Sequence, residues 1–343
     1  MSNDGKIVRI AVDSMGGDYA PGEVIKGAIM AAREGNMEII LVGPMEILEQ
    51  ELAKHDSSLL PISFVNADEV IKEGEHPAFA IRRKPNASIA VATELVKTGM
   101  ADAIISAGPT GAASVSAINL LGMMPGLERP ALCVPLVGLA PNTVLVDGGA
   151  NIDCKPHQLL SFAAIGSVYA KKLFNVTTPK VALLSIGAEE GKGSRLIQES
   201  YQLLQKSNLN FVGNIEGYDI LSGQANVIIC DGVVGNIITK FYESIGHYFV
   251  GWLKAKWGNL PLGRSVKKLL DLMVLLTRLT RNESDGGGLL WGVNGIVHLM
   301  HGNSQAQQVN KSIARAKHAV EIDLISSLRS ELTTVRSKLP ITS

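Results

Sequence analysis

Five Gly-rich segments, each following a short apolar run, hold most of the side chains in this sequence that can handle an anion. They are VDSMGGDYAP (Val12 to Pro21), SAGPTGA (Ser106 to Ala112), DGGANIDCKP (Asp147 to Pro156), GAEEGKGS (Gly187 to Ser194) and DGVVGN (Asp231 to Asn236). Paired glycines such as Gly16 and Gly17 let backbone N–H groups approach an oxyanion closely, although a plain tight turn uses the same pattern. Ser106 and Thr110 offer hydroxyls beside a helix start, where ordinary capping is the alternative. The third segment gathers Asp147, Asn151, Asp153 and Lys155 within ten residues, more polar groups than a turn needs. Lys192 follows Glu189 and Glu190 in a glycine-flanked loop, placed either to reach an anion or to pair with those two carboxylates. Asn236 is placed to cap a helix N-terminus or to donate a hydrogen bond to a ligand, with Asp231 opening the same segment. His301, in HLMHGNS with His298, is a further candidate, against the commoner roles of a packed or solvated histidine.

Several familiar motifs are missing. No GxGxxG opens a helix after a strand, so a dinucleotide dehydrogenase lacks its fingerprint. No GxSxG elbow supplies a serine nucleophile. GAEEGKGS has three residues rather than four before Gly-Lys, and Gly193 stands where a phosphate-binding P-loop needs Ser or Thr.

The elements that position these loops are legible from hydropathy. Ile7 to Val12, Glu38 to Val42, Ala103 to Ser106, Thr143 to Asp147, Lys180 to Ser185 and Asn226 to Asp231 are nearly all apolar, as strands buried on both faces are. Helix-like stretches alternate with them, which predicts an α/β fold with a mostly parallel sheet and flanking helices. Ligands in such sheets collect at the carboxyl ends of strands, where Asp13, Ser106, Asp147, Ser185 and Asp231 fall. Past Asn236, Ile238, Phe241, Tyr242, Ile245, Phe249, Trp252 and Leu253 recur at helical spacing. Gly258 to Gly263 breaks that helix, and Val266 to Leu279 begins another, so the pair forms a projecting helical hairpin. Ser304 to about Arg336 reads as one long terminal helix. The expected organisation is a single unit over 1–343, with an α/β body over 1–235, the hairpin over 236–284, and a return to the body over 285–343.

The chain has 343 residues, 46% of them hydrophobic, enough for a large core. Thirty-two basic residues balance thirty-two acidic ones, so no global field draws the chain to nucleic acid. Cys133, Cys154 and Cys230 form no CxxC pair, which predicts free thiols in a reducing cytoplasm and no zinc site. No signal peptide is expected at the N-terminus, and no uncharged apolar run reaches the roughly 18 residues that span a bilayer.

Taken in order, VDSMGGDYAP, EHPAFAIRRKPNASI, SAGPTGA, ERPAL, DGGANIDCKP, PKVALLSIGAEEGKGS, GNIEGYDI, ICDGVVGN and HGNS resemble the bacterial acyl carrier protein:phosphate acyltransferases of phospholipid synthesis. The resemblance covers nearly the whole chain. It implies a layered α/β fold similar to phosphotransacetylases and isocitrate-dehydrogenase-like enzymes, a homodimer, and a reaction that needs no metal, nucleotide or other cofactor. By motif it assigns the chemistry to Lys192 and Asn236. Asp13, Gly16, Gly17, Ser106, Thr110, Asn151 and Asp153 surround phosphate and thioester, with Lys155, Glu189, Asp231 and His301 as further substrate-binding residues. Two positions depart from the family: Pro109 replaces the usual Asn, which removes an N–H from that loop, and Trp291 interrupts the Gly-rich return.

The implied reaction moves a fatty acyl group from acyl carrier protein to inorganic phosphate by direct attack. A phosphotransacetylase acting on acyl-coenzyme A and a non-catalytic membrane scaffold are the alternatives. Seven Lys and Arg lie between Lys254 and Arg281 against one acid, Asp271, beside Trp252, Trp257, Leu260 and Leu262. That pairing suits either an anionic bilayer surface or a dimer interface with a basic rim. The family's peripheral membrane association favours lipid at the tip, and thus a cytoplasmic protein on the inner face of the membrane. Arg82, Arg83 and Lys84 are placed to steer the acidic carrier protein.

Overall fold

The computed structural model describes residues 7–136, 140, 142–257 and 287–336. These divide into two compact units, one within Met1–Leu132 together with Gly286–Thr334, the other within Cys133–Asp285 together with Val335–Ser343.

In the first unit the sheet is built on β1 (Val8–Asp13), β2 (Met37–Gly43) and β4 (Ala103–Ser106), whose Ile10, Ile39, Leu41, Ile104 and Ile105 are fully buried. β3 (Ile62–Asn66) pairs with β2 at one edge, and β11 (Ile296–Leu299) lies beside β4. The order β3-β2-β1-β4-β11 is parallel throughout, so the carboxyl ends of β1, β4 and β11 emerge side by side. β10 (Gly288–Trp291) runs antiparallel to β11 and to the first residues of β5 (Ala131–Pro135). Helices α1 (Gly22–Glu34), α2 (Met45–Leu52), α3 (Pro77–Arg83), α4 (Ser88–Lys97) and α5 (Thr110–Leu121) connect the strands.

The second unit repeats the logic with β6 (Val144–Val146), β9 (Val227–Ile229), β7 (Lys180–Leu184) and β8 (Asn210–Ile215), parallel and in that order, with the end of β5 antiparallel to β6. Its central helix α6 (Pro156–Leu173) starts with a proline where no intrahelical N–H is required. That helix buries Leu159, Phe162, Ile165 and Val168 against the sheet. α7 (Arg195–Gln205) is amphipathic and buries Ile197, Ser200 and Leu204. α8 (Gly232–Trp257) follows β9.

All six apolar runs read as strands are strands, and the fold class is the α/β arrangement expected. The terminal helix is two: α9 (Ala306–Glu321) and α10 (Leu324–Arg336), separated at Asp323, whose φ of 48° takes the backbone out of the helix. The second helix of the hairpin, the break at Gly258 to Gly263 and the basic residues beyond Trp257 lie outside the described residues. Among the described residues no helix is long and apolar enough to cross a membrane.

Candidate active site

In the first unit the loops after β1, β4 and β11 lock into one rim. Asp13 closes β1 with a carboxylate only 2% exposed. Its Oδ1 accepts the Ser88 hydroxyl and its Oδ2 the Ser106 hydroxyl, each at 2.6 Å, and the amides of Met15 and Gly16 donate to it as well. Burial raises the pKa of this carboxyl, and the four donors pull it partly back. Gly16 is required by close approach: a β-carbon there would stand 2.6 Å from the Gly108 nitrogen. Gly17 faces Ala107 and the Gly302 carbonyl, and the Asp18 N–H donates to that same carbonyl at 2.7 Å.

Two of the helices that begin near this rim, α9 and α5, differ in how their N-termini are filled. The α9 start already holds a carboxylate, since Glu23 Oε2 accepts the Ala306 N–H at 2.9 Å. The α5 start has neither a capping side chain nor an acid in its first turn, and its first residue, Thr110, is exposed. Pro109 is the N-cap of α5, a position whose N–H makes no intrahelical bond, so the helix loses nothing by it. His301 is exposed and its carbonyl accepts the Ser304 N–H. His298 is buried on β11, and burial followed by the charge of Arg315 lowers its pKa to about 3.

In the second unit Asp147, fully buried after β6, organises the DGGAN turn. Its Oδ1 accepts the N–H groups of Gly149 and Ala150, and its Oδ2 accepts both the N–H and the Nδ2 of Asn151 at 2.8 Å. The Asn151 carbonyl then accepts the Gly232 N–H at 2.9 Å, tying this turn to the first turn of α8. Gly235 is obligatory there, because a β-carbon would collide with the Asp147 carbonyl. The cap of α8 is Asp231, whose Oδ1 accepts the Val234 N–H at 2.9 Å. Asn236 is therefore not the N-cap, because the helix starts five residues earlier than its side chain suggests. It stands exposed within α8, its side chain lying over Gly149. Asp153 and Lys155 are exposed on the loop before α6, where the Lys155 N–H donates to Gln158 Oε1.

Glu189 and Lys192 occupy the exposed loop after β7. Lys192 pairs with neither glutamate; Glu190 is taken instead by Gln202 Nε2 at 2.6 Å. The thiols of Cys133 and Cys230 are pushed well above their ordinary range by burial and then by the Asp147 carboxylate, which leaves them poor nucleophiles. Among the described residues no three His, Cys, Asp or Glu side chains stand together as metal ligands.

Residues 8–327 match the protein family described as fatty acid synthesis protein. The chain is 43% identical over 326 residues to the phosphate acyltransferase of Desulforamulus reducens, an alignment covering 95% of this chain and 98% of that one. It is 44% identical over 337 residues to the phosphate acyltransferase of Pelotomaculum thermopropionicum, covering 96% and 97%. The chain belongs to the phosphate acyltransferase family. Its fold is shared with a phosphotransacetylase from Streptococcus pyogenes, with a TM-score of 0.59 at 18% identity over 96% of this chain and 95% of that one.

For this member of the phosphate acyltransferase family, the candidate residues fall into two groups. Asp13, Gly16, Gly17, Ser106, Thr110 and His301 belong to the first unit; Asn151, Asp153, Lys155, Glu189, Lys192, Asp231 and Asn236 belong to the second. Ser88 was not foreseen. It stands next to last in the EHPAFAIRRKPNASI segment, where the basic residues drew the attention, and only the fold brings its hydroxyl to Asp13.

Proposed function

We propose that this protein transfers a fatty acyl group from acyl carrier protein to inorganic phosphate, giving acyl phosphate for phospholipid synthesis. The observation that carries the reading is Lys192. Its ammonium is exposed beyond the end of a parallel strand and makes no ion pair among the described residues, so its charge is available to an incoming anion.

A phosphate oxygen attacks the thioester carbonyl carbon and forms the new C–O bond. The tetrahedral oxyanion then collapses, the C–S bond breaks, and the carrier's thiolate leaves to take a proton from solvent. Lys192 neutralises phosphate or the growing oxyanion, and Asn236 donates its amide N–H to that oxyanion. Positioning supplies most of the acceleration, because a thioester is already an activated acyl donor. No acyl-enzyme is needed, in keeping with the suppressed thiols of Cys133 and Cys230.

In the first unit the open start of α5 holds anionic substrate groups, with Gly16, Gly17, Ser106 and Thr110 around it and His301 beside it. Asp13 holds that rim in shape from beneath. In the second unit Asn151, Asp153, Lys155, Glu189 and Asp231 join Lys192 and Asn236 as substrate-binding residues. Arg82 and Arg83 are exposed and available to steer the acidic carrier; Lys84 is occupied by Glu75 at 2.7 Å. Ile237, Phe241 and Tyr248 share one exposed face of α8, which supports a homodimer contact there. The basic, Trp-flanked stretch that follows supports peripheral attachment to the inner face of the cell membrane from the cytoplasm.

The decisive experiment is mass-spectrometric detection of acyl phosphate from purified protein, acyl carrier protein thioester and phosphate, with acyl-coenzyme A in a parallel reaction. Acyl phosphate from the carrier thioester is expected. Product from neither donor overturns the reading, and product from coenzyme A alone removes the carrier from it.

A further inference from the structure

The turn that presents Lys192 is held by amide side chains. The Glu189 carbonyl accepts two donors at 3.0 Å each, the Lys192 N–H and Asn214 Nδ2. Gln198 Nε2 reaches the carbonyls of Gly191 at 2.9 Å and Gly193 at 3.1 Å. Gln202 Nε2 donates to Glu190 Oε1 at 2.6 Å. A turn carrying a functional cation has to be fixed without neutralising it, and uncharged donors do that where a carboxylate cannot.

Asn214 differs from the two glutamines in being buried, at 6% exposure, on β8. It sits beside Leu183 of β7, and its Oδ1 is buried with no partner. The Ser185 hydroxyl, two residues beyond Leu183 and so on the same face of the strands, is also buried without a partner. A β-carbon on Gly193 would stand 2.9 Å from that hydroxyl. The floor of the turn is thus polar at both ends, with Asn214 under Glu189 and Ser185 under Gly193. An amide oxygen buried without a partner opposes folding, and an apolar residue on β8 would avoid that penalty. Asn214 therefore contributes something that packing alone does not.

We infer that Asn214 is a positioning residue for Lys192. Its carboxamide N–H fixes the Glu189 carbonyl, that carbonyl fixes the backbone N–H of Lys192, and the ammonium is thereby presented from one place with its charge intact. The inference rests on the role proposed for Lys192.

Two substitutions test it. Asn214→Asp keeps the shape but, when ionised, has no donor for the Glu189 carbonyl; once protonated it has one. Asn214→Ser is uncharged and too short to reach. Each is expected to lower kcat about tenfold at pH 8, the effect of one lost hydrogen bond of this kind, with KM for the acyl donor unchanged within about twofold. For Asn214→Asp the activity relative to the unsubstituted protein rises as pH falls and the carboxyl protonates; for Asn214→Ser the ratio stays flat. Combined with Lys192→Ala, Asn214→Ser changes the residual rate by less than about twofold. Full activity of Lys192→Ala alone sinks the role of the lysine. Inactive Lys192→Ala beside fully active Asn214 variants overturns the positioning role and leaves the lysine in place. Loss of the native circular dichroism spectrum in both Asn214 variants makes the residue a determinant of folding and likewise overturns the inference.

Discussion

The carboxylate of Asp13 accepts the Ser106 hydroxyl at 2.6 Å, joining the last residue of β1 to the last residue of β4. With Ser88 on its other oxygen and two backbone amides, one buried carboxylate sets the shape of the rim. Asp13→Ala leaves these donors without an acceptor and is expected to destabilise the protein by about 3 kcal/mol, whereas Ser88→Ala removes one bond and is expected to cost about 1 kcal/mol. Urea unfolding of both variants measures the difference. Equal midpoints for Asp13→Ala and the unsubstituted protein would show that the carboxylate is not an anchor.

Lys192→Ala and Asn236→Ala are each expected to lower turnover by roughly 100- to 1000-fold while leaving the fold unchanged, since both side chains are exposed and each supplies one preorganised charge or donor. Steady-state acyl phosphate formation is the readout. Near-normal turnover in either variant removes that residue from the chemistry.

Six β-strands could be read in advance because burial on both sides demands an unbroken apolar run, as in Val144–Val146 and Val227–Ile229; β11 (Ile296–Leu299) is buried throughout as well, but its run is short and broken by His298, and it did not stand out. The edge strands β3 and β8 escaped notice for the opposite reason: Ile62–Asn66 is nowhere fully buried, Asn210–Ile215 alternates in exposure over its first four residues, and both carry polar residues among their apolar ones. The polar segments at strand ends were legible from glycine and Asp, but their internal wiring was not. Nothing local distinguishes Asp231, which caps α8, from Asn236, which does not; the difference depends on where the helix begins, and that is fixed by Gly232 meeting Asn151. Asn214 and Ser88 likewise gain their roles only from neighbours distant in sequence.

Gly235→Ala places a methyl group against the Asp147 carbonyl, and both are backbone-bound with little freedom to separate. Destabilisation of about 3 kcal/mol or more is expected, with the DGGAN turn and the start of α8 displaced together. Thermal melting tests this, and a melting temperature within a degree of the unsubstituted protein would contradict it.

His298 adds a pH dependence of known sign. Its folded pKa of about 3 lies below the ordinary value of 6.5, so between those values the unfolded chain binds more protons than the folded one. Stability associated with this group is therefore complete above about pH 6.5 and is lost as pH falls toward about 3. His298→Gln lacks the titrating ring. Its unfolding free energy should fall less steeply between pH 6 and pH 4, by up to about 1.4 kcal/mol per pH unit. Parallel slopes for the two proteins in equilibrium denaturation would rule this out.

Glu23 gives the starts of α5 and α9 a difference that they would otherwise lack. By parking its own carboxylate on α9, the chain has filled that positive pole in advance and left the one at α5 open. Glu23→Gln would weaken that occupancy, so an anion held at α5, as proposed above, would be shared with a second mooring.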